Sequence, residues 1–412
     1  MKRLMTVLLA LPFAASAAAY PDLPPAALAE RAIRDHPAVA VARAGVDAGT
    51  ATRDGLEAGP HEFNLRLGSG RRREPGLDRV TQEKEFGIER GLRLPGKAAQ
   101  DAAIGSAVTD EADSRFGDAL HETGRLLLRT WFDWRREQAA LDEWRAQVAL
   151  LEQQSRIAAK RVAVGDAARL EELLAWALLV QAQAQLAQAE SRLRLAADSL
   201  AQHFPSLPLP AQLGPSQPER LAEPFAVWRE KILAHSHELR AARAATRVQQ
   251  LQAQRADADR IPDPTLGVRW ASERDGQERV LGVALSIPLP GGARAAAARG
   301  ALAESAAAGA REALALARVE AEARRTYQQA DLAYANWQRL DEAAQRIGEN
   351  ARLLEKAWRL GEGQIADLLA ARRQSIEARL AAAQARLDAA EARYRLLLDT
   401  HELWSPDAHA AE

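Results

Sequence analysis

The residues of this chain that could carry out chemistry are few and scattered along it. His235 and His237 offer two imidazoles, but positions two apart do not share a face of a helix, so we interpret both as surface histidines rather than metal ligands. The Gly-rich Pro290-Gly291-Gly292 lacks the Lys-Ser/Thr pair with which a phosphate loop holds phosphate and magnesium. Since no cluster of His, Asp and Ser suggests a nucleophile either, the sequence predicts a non-enzymatic protein that uses no cofactor or resident metal.

Composition excludes further classes of protein. The 412 residues include 55 basic and 56 acidic side chains, a balance that argues against a strongly basic nucleic-acid binder, so no nucleic-acid partner is expected. The absence of cysteine excludes a disulfide framework, a thiolate metal site and a thiol nucleophile. No apolar run after the N-terminus has the length of a bilayer-spanning helix, which excludes a polytopic helical membrane protein.

The N-terminus has the organisation of a secretory signal peptide. Lys2 and Arg3 precede an apolar run at 4–13, and small residues at 17–19 lead into Tyr20 and Pro21. A transmembrane anchor would need about 20 apolar residues, and this run is shorter. We therefore expect residues 1–19 to be removed and the mature chain to be exported.

Proline placement divides the mature chain into two helical arms. Proline in a helix interior removes a hydrogen bond and clashes with the preceding turn, and none occurs between Pro95 and Pro205 or between Pro290 and Pro406. Both tracts are rich in strong helix formers. Several prolines crowd the segment between them, which predicts an irregular linker at 205–224.

The two arms are copies of each other. Landmarks coincide when the sequence is shifted against itself by about 200 residues, which indicates a tandem duplication. We predict a first repeat of helix, hairpin and helix at 20–204, a second at 225–404 and a C-terminal tail at 405–412. Matched landmarks include Gly87 with Gly282, Leu94-Pro95-Gly96 with Leu289-Pro290-Gly291, Lys160 with Lys356, and Gly165 with Gly361.

Apolar residues within both arms step by three and four alternately, the heptad pattern of helices packed side by side. A continuous helix from Ala98 to Ala163 would be about 100 Å long. Gly165 and Gly361 can take the left-handed conformation that ends a helix, so we predict a turn at each. The acidic residues after each turn suit the N-terminus of the following helix.

Ahead of each arm, apolar and polar residues alternate. In the first copy the alternation covers 63–67, a polar loop rich in Arg and Gly follows, and the alternation returns over 86–94. In the second copy it covers 266–270 and 281–287. Period-two patterning predicts strands, so each copy contributes one hairpin.

Four strands alone would leave open edges and an uncovered apolar face. A membrane accepts strands only as a closed barrel, and known single-chain barrels start at about 8 strands. We therefore predict a mainly α fold with a small β part, in which long coiled-coil helices form a periplasmic α-barrel and each chain gives four strands to a shared outer-membrane β-barrel. A trimer would satisfy closure, with a watery lumen lined by the polar alternate positions Asn64, Arg66, Arg269 and Ser286.

This organisation resembles the TolC family of outer-membrane efflux ducts over essentially the whole mature chain. The segments Leu94-Pro95-Gly96-Lys97 and 282–290 are similar to those of the outer-membrane component of heavy-metal resistance-nodulation-division (RND) exporters. The resemblance implies a homotrimer in outer-membrane lipid that extends into the periplasm and works with a periplasmic adaptor and an inner-membrane RND pump. The implied function is passive conduction of divalent heavy-metal cations to the exterior.

The resemblance also implies roles for single residues. Asp367 matches the first of two gate aspartates and Trp358 a gate aromatic, whereas Ala370 stands at the second aspartate and Gly363 at a gate arginine. Asp367 is either a gate residue or a helix N-terminal carboxylate, and the heptad position of Trp358 favours core packing. The residues implied to contact the adaptor form the two turns: Val164, Gly165, Asp166, Leu360, Gly361, Glu362, Gly363 and Gln364.

Two other interpretations stay open. Within transport, the chain could be a duct for organic drugs or secreted polypeptide. From another class, it could be a periplasmic adaptor or a soluble coiled-coil scaffold. An adaptor would have one helical hairpin flanked by β-rich domains, whereas this chain has two equivalent arms with a strand hairpin before each.

Overall fold

The computed structural model describes residues 20–74, 76, 79–210 and 217–404. The predicted signal peptide and the tail at 405–412 lie outside these residues, and the described part of 205–224 holds no helix or strand. The elements, in chain order, are α1 Ala26–Arg34, α2 Pro37–Ala58, β1 Phe63–Glu74, β2 Arg79–Gly91, α3 Lys97–Ala163, α4 Arg169–His203, α5 Phe225–His235, α6 His237–Ala258, β3 Thr265–Glu273, β4 Glu278–Ser286, α7 Gly292–Arg359 and α8 Ile365–Asp399.

The duplication is visible in the order of the elements, because each copy gives two short helices, a hairpin, a very long helix and a medium one. Helices α3 and α7 contain 67 and 68 residues, and α4 and α8 contain 35 each. The predicted mainly α fold with long helices and one small antiparallel sheet is confirmed. Closure of that sheet by further chains stays a prediction.

The four strands form one antiparallel sheet in the order β1-β2-β3-β4. The β2–β3 pairing joins the two copies, with Ile88 opposite Val268. The predicted polar loop of the first copy is wrong in extent, because β1 continues to Glu74 and β2 begins at Arg79. Polar residues on both faces obscured the alternation there, so the apolar signal marked only part of each strand.

One face of the sheet is apolar and solvent-exposed. Alternation along each strand and the pairing register place apolar residues of all four strands side by side. Leu67, Leu281 and Val283 are more than 70% exposed. Three rows of paired residues make up this face: Phe63, Arg90, Leu266 and Leu285; Leu65, Ile88, Val268 and Val283; Leu67, Phe86, Trp270 and Leu281.

The chain divides into two compact units, which we name by their contents. The tip unit (1–33, 126–221 and 330–394) contains both helical turns, and its core includes Trp131, Phe132 and Leu151. The sheet unit (34–125, 222–329 and 395–412) contains the strands, and its core includes a cluster of Ile104, Ala107, Val248 and Leu251. Among the described residues, no helix is long and apolar enough to cross a membrane.

Candidate functional site at the helical turns

The turn between α3 and α4 ends the long helix with a glycine. Gly165 has a φ of 79°, a left-handed conformation that glycine adopts without strain. The N–H of Asp166 donates to the carbonyl of Arg161 at 2.8 Å, and the N–H of Gly165 donates to that of Val162 at 3.0 Å. These two bonds define a Schellman motif, which satisfies carbonyls that the helix end would otherwise leave unpaired.

The turn between α7 and α8 repeats this geometry. Gly361 also has a φ of 79°. The N–H of Glu362 donates to the carbonyl of Ala357 at 2.9 Å, and the N–H of Gly361 donates to that of Trp358 at 3.1 Å. The glycines that were predicted to end the helices therefore do so by one mechanism in both copies.

Each turn presents an apolar side chain to solvent. Val164 is 80% exposed and Leu360 is 65% exposed. Gln364, just before α8, is exposed as well, so the predicted adaptor-contact residues are accessible on both turns. Contact with an adaptor stays a prediction.

Trp358 lies in the core of the tip unit. Its side chain is fully buried and packs in a cluster with Ala158, Ala175, Ile365 and Leu368. These residues come from α3, α4, α7 and α8, so one indole ring holds both helical hairpins together. Its role as a gate aromatic stays a prediction.

Trp358 is contacted by two residues of the first copy, Arg161 and Glu171. Neither was predicted as a site residue. The guanidinium carbon of Arg161 lies 5.4 Å from the centroid of the indole ring, within the range of a cation–π contact. The indole N–H donates to Glu171 Oε2 at 3.3 Å. Arg161 also pairs with Asp166 at 2.9 Å, so the first turn is tied to the second copy through Arg161. No sequence signal links these positions, which are far apart in the chain.

Asp367 lies in the first turn of α8 and is exposed. Within the described part of the chain its side chain has no ion-pair or hydrogen-bond partner. Both interpretations, a helix N-terminal carboxylate and a gate residue, place the carboxylate at the surface beside the second turn. The choice between them therefore stays open.

Gly363, at the position of the implied gate arginine, packs tightly. A Cβ atom built there would lie 3.1 Å from the backbone nitrogen of Trp358 and 3.2 Å from Cβ of Ala357. A side chain at this position would require the end of α7 to shift by a few tenths of an ångström. Gly363 therefore packs closely against the helix that it follows.

The motif Leu94-Pro95-Gly96-Lys97 forms a junction between strand and helix in the sheet unit. Gly96 has a φ of 89°, and the side chain of Lys97 is 4% exposed. The Lys97 ammonium donates to the carbonyl of Ile261 at 2.7 Å and to Asp263 Oδ1 at 2.8 Å. The motif thus ties the start of α3 to the segment that leads into β3.

Asp263 collects several donors at this junction. Besides Lys97, the N–H of Leu94 donates to it at 3.2 Å, and His61 Nε2 lies 2.8 Å from its second oxygen. Burial alone would raise the pKa of Asp263, but the hydrogen bonds from Lys97, His61 and Leu94 outweigh it and lower the pKa to about 2. The carboxylate is charged at any physiological pH.

The interpretation of His237 as a surface histidine is wrong. Ser236 caps α6 and separates it from α5, so His237 begins a new helix and is 6% exposed, whereas His235 is exposed. The ring of His237 stacks on His401 with centroids 4.9 Å apart. A Cβ atom at Gly117 would lie 2.2 Å from His237 Nδ1, so this glycine makes room for the ring.

His121 joins the same histidine cluster, with its ring centroid 5.6 Å from that of His401. Burial, the neighbouring Arg125 and His401 lower the pKa of His121 to about 2, which keeps the ring neutral. Despite these rings, no group of three or more His, Cys, Asp or Glu among the described residues is arranged to hold a metal ion.

Comparison with known proteins identifies the fold. No family model and no curated protein sequence matches the chain. The chain is similar to the CmeC outer membrane channel of Campylobacter jejuni, with 13% identity, a TM-score of 0.76, and coverage of 91% of this chain and 84% of that chain. It is similar to the outer membrane protein VceC of Vibrio cholerae, with 16% identity, a TM-score of 0.74, and coverage of 91% of this chain and 95% of that chain. It is also similar to the open state of the MtrE outer membrane channel of Neisseria gonorrhoeae, with 20% identity, a TM-score of 0.65, and coverage of 92% of this chain and 89% of that chain. The chain therefore has the fold of these outer-membrane channels.

Proposed function

We propose that the chain is a member of the TolC family and the outer-membrane exit duct of a tripartite efflux system. Three copies would close their sheets into one barrel, and their long helices would extend the duct into the periplasm. An adaptor would engage the exposed turns, and an inner-membrane RND pump would supply the energy. The duct itself would conduct its cargo passively, without an enzymatic step.

The observation that carries this proposal is the two-faced sheet. Its apolar face exposes twelve register positions to solvent, of which Arg90 is the one charged residue. A soluble protein rarely leaves a contiguous apolar surface of this kind uncovered. Among the described residues, the outer strands β1 and β4 have a neighbouring strand on one side only. Lipid against the apolar face and a neighbouring copy at each edge would resolve both features.

The proposal is tested by the cell fraction in which the protein occurs and by the mass of its oligomer. The mature protein should occur only in the outer-membrane fraction, and light scattering of the detergent-extracted protein should give the mass of three chains. A monomer or dimer in the periplasmic fraction would contradict the duct and favour a soluble scaffold.

For the cargo we propose divalent heavy-metal cations, with Asp367 as the gate residue that favours them. Three copies of this exposed carboxylate would form an acidic ring at the periplasmic entrance. In planar bilayers, Asp367→Asn should shift the reversal potential towards lower cation selectivity. Glu349→Gln, which neutralises an exposed carboxylate of α7 away from the turns, is the matched control. Equal selectivity in all three proteins would assign Asp367 to helix stabilisation alone.

A further inference from the structure

The charged residues of the sheet are divided unequally between its two faces. On the polar face, which the proposed duct turns towards its lumen, arginines and glutamates pair with one another. Arg66 lies 3.2 Å from Glu89, and Arg72 lies 2.6 Å from Glu83. Acidic side chains of the described strands all lie on this face: Glu83, Glu85, Glu89, Glu273 and Glu278.

The apolar face carries charges of one sign only. Among its described side chains none is acidic, and Lys84 and Arg279 occupy the row directly beyond Leu67, Phe86, Trp270 and Leu281, towards the hairpin turns. Arg71 lies in the next row on the same face. We call Arg71, Lys84 and Arg279 the basic belt.

The basic belt is open to solvent and to a partner. All three side chains are exposed, and in the described part of the chain none of them has an ion-pair or hydrogen-bond partner. The paired arginines of the opposite face show that carboxylates are available within the same strands. Among the described side chains, the basic belt therefore has no counter-charges, because the carboxylates of these strands lie on the opposite face of the sheet.

The height of the belt matches the surface of a membrane. Exposed apolar residues continue from Leu281 along β4 and past its end to Leu289, a stretch of nine positions. A tilted transmembrane strand crosses the hydrocarbon core in about 9–11 residues. If Leu289 lies at one edge of the hydrocarbon, the row of Arg279 and Lys84 lies just outside the other edge.

We propose that the basic belt binds the phosphate groups of phosphorylated glycolipid in the outer leaflet of the membrane. This inference rests on the proposed function, because it needs the sheet to span that membrane with its turns outside. Arginine offers a fork of N–H donors that matches phosphate, and lysine adds a point charge. Basic side chains at the membrane surface strengthen binding to anionic lipid.

The test measures glycolipid retention by the full-length mature protein. The protein is reconstituted in phosphatidylcholine vesicles that contain either phosphorylated or dephosphorylated lipid A. After extraction in mild detergent, lipid A that remains bound is quantified by mass spectrometry. The wild type should retain the phosphorylated form in preference, and free inorganic phosphate should not compete at the same phosphate concentration.

Two triple variants with the same change in net charge separate the two faces. Arg71→Gln, Lys84→Gln, Arg279→Gln should lose about fivefold in retention for each charge removed. Arg66→Gln, Arg72→Gln, Arg269→Gln, which neutralises the opposite face, should retain lipid A like the wild type. The double variant Arg71→Lys, Arg279→Lys keeps the charges and should retain most of the binding.

The outcomes separate this inference from the proposed function. Resistance of the vesicle-bound protein to alkaline extraction reports insertion independently of lipid A. Two results would overturn lipid binding by the basic belt and leave the proposed duct intact. In the first, the protein inserts but the wild type and the belt variant retain equal amounts of lipid A. In the second, inorganic phosphate competes fully with lipid A. Failure of the wild type to insert into any vesicle would overturn both.

Discussion

The two copies of the repeat end their long helices in the same way but make different contacts at the junction before each long helix. Both turns use a glycine with a φ of 79° and the same pair of backbone hydrogen bonds. At the junction before the long helix, however, Lys97 of the first copy is buried among acceptors, whereas Gly292 at the matching place in the second copy is exposed with open space around it. Duplication has preserved the turns of the chain and changed the contacts made between copies.

A second pair of matching residues shows what has been preserved. The indole N–H of Trp131 donates to the carbonyl of Asp22 at 2.7 Å in the tip unit. Tyr327 donates its hydroxyl to the carbonyl of Glu223 at 3.3 Å in the sheet unit. In each case an aromatic residue of the long helix bonds the segment just before the short helices of its own copy. Contacts within a copy are therefore kept, and contacts between copies have diverged.

The largest expected difference between the copies concerns Trp358 and its counterpart Val162. Trp358→Ala would leave a large cavity in the core of the tip unit and should lower the free energy of unfolding by about 3–5 kcal/mol. Val162 is half-buried, so Val162→Ala should cost about 1 kcal/mol. Urea unfolding of the detergent-solubilised proteins measures both. Equal losses would mean that the two turns share one symmetric core rather than depending on a single indole.

An intermediate effect is expected at the strand-to-helix junctions. Lys97→Met removes the main donor of a buried carboxylate and should destabilise the protein by about 2–3 kcal/mol. Gly292→Ala is the matched change in the second copy, where open space admits a methyl group without loss. The thermal unfolding midpoint of Lys97→Met should therefore be clearly lower than that of Gly292→Ala. If Gly292→Ala lowered the unfolding temperature as much as Lys97→Met, the junctions of the two copies would contribute equally to stability.

Acid should affect the copies unequally through His121, whose counterpart in the second copy is Ala317. The pKa of His121 is about 2 in the folded protein, below its ordinary value near 6.5. As the pH falls below about 6.5, the unfolded chain therefore takes up a proton that the folded protein does not, and stability falls by about 1.4 kcal/mol per pH unit.

His121→Gln removes this dependence, so its unfolding midpoint should change less between pH 7 and pH 5 than that of the wild type. His203→Gln, at an exposed histidine of the first copy, is the control and should keep the wild-type slope. Parallel slopes in wild type and His121→Gln would show that the ring of His121 is protonated in the folded protein.

Features set by local sequence were predictable, and features set by distant pairing were not. The helix ends at Gly165 and Gly361 follow from glycine alone, and the long helices follow from proline placement. The buried Lys97 was visible only as part of a motif, because its acceptors at Ile261 and Asp263 lie in the other copy. Its replacement by glycine in the second copy was the available signal that the two motifs differ in role.

The errors have different origins. The extent of β1 was missed because residues 68–74 alternate between polar types that carry no apolar contrast. His237 was placed at the surface because the spacing argument assumed one helix, whereas Ser236 divides two. Asp367 was assigned two roles, and its exposed position in the single chain is compatible with both. Ser236 was a local signal present in the sequence, whereas the extent of β1 depends on its pairing with β2 and the role of Asp367 depends on other copies of the chain.

The β2–β3 pairing also determines the order in which the chain can fold. Each hairpin and each helical pair joins neighbouring stretches of sequence, whereas pairing Gly91 with Thr265 encloses all of α3, α4, α5 and α6. Closing so long a loop is entropically unfavourable until the enclosed helices have formed, so this pairing is a late step. The β2 edge of the first hairpin therefore stays unpaired until the second copy is available, and in that interval the open edge can pair with another chain.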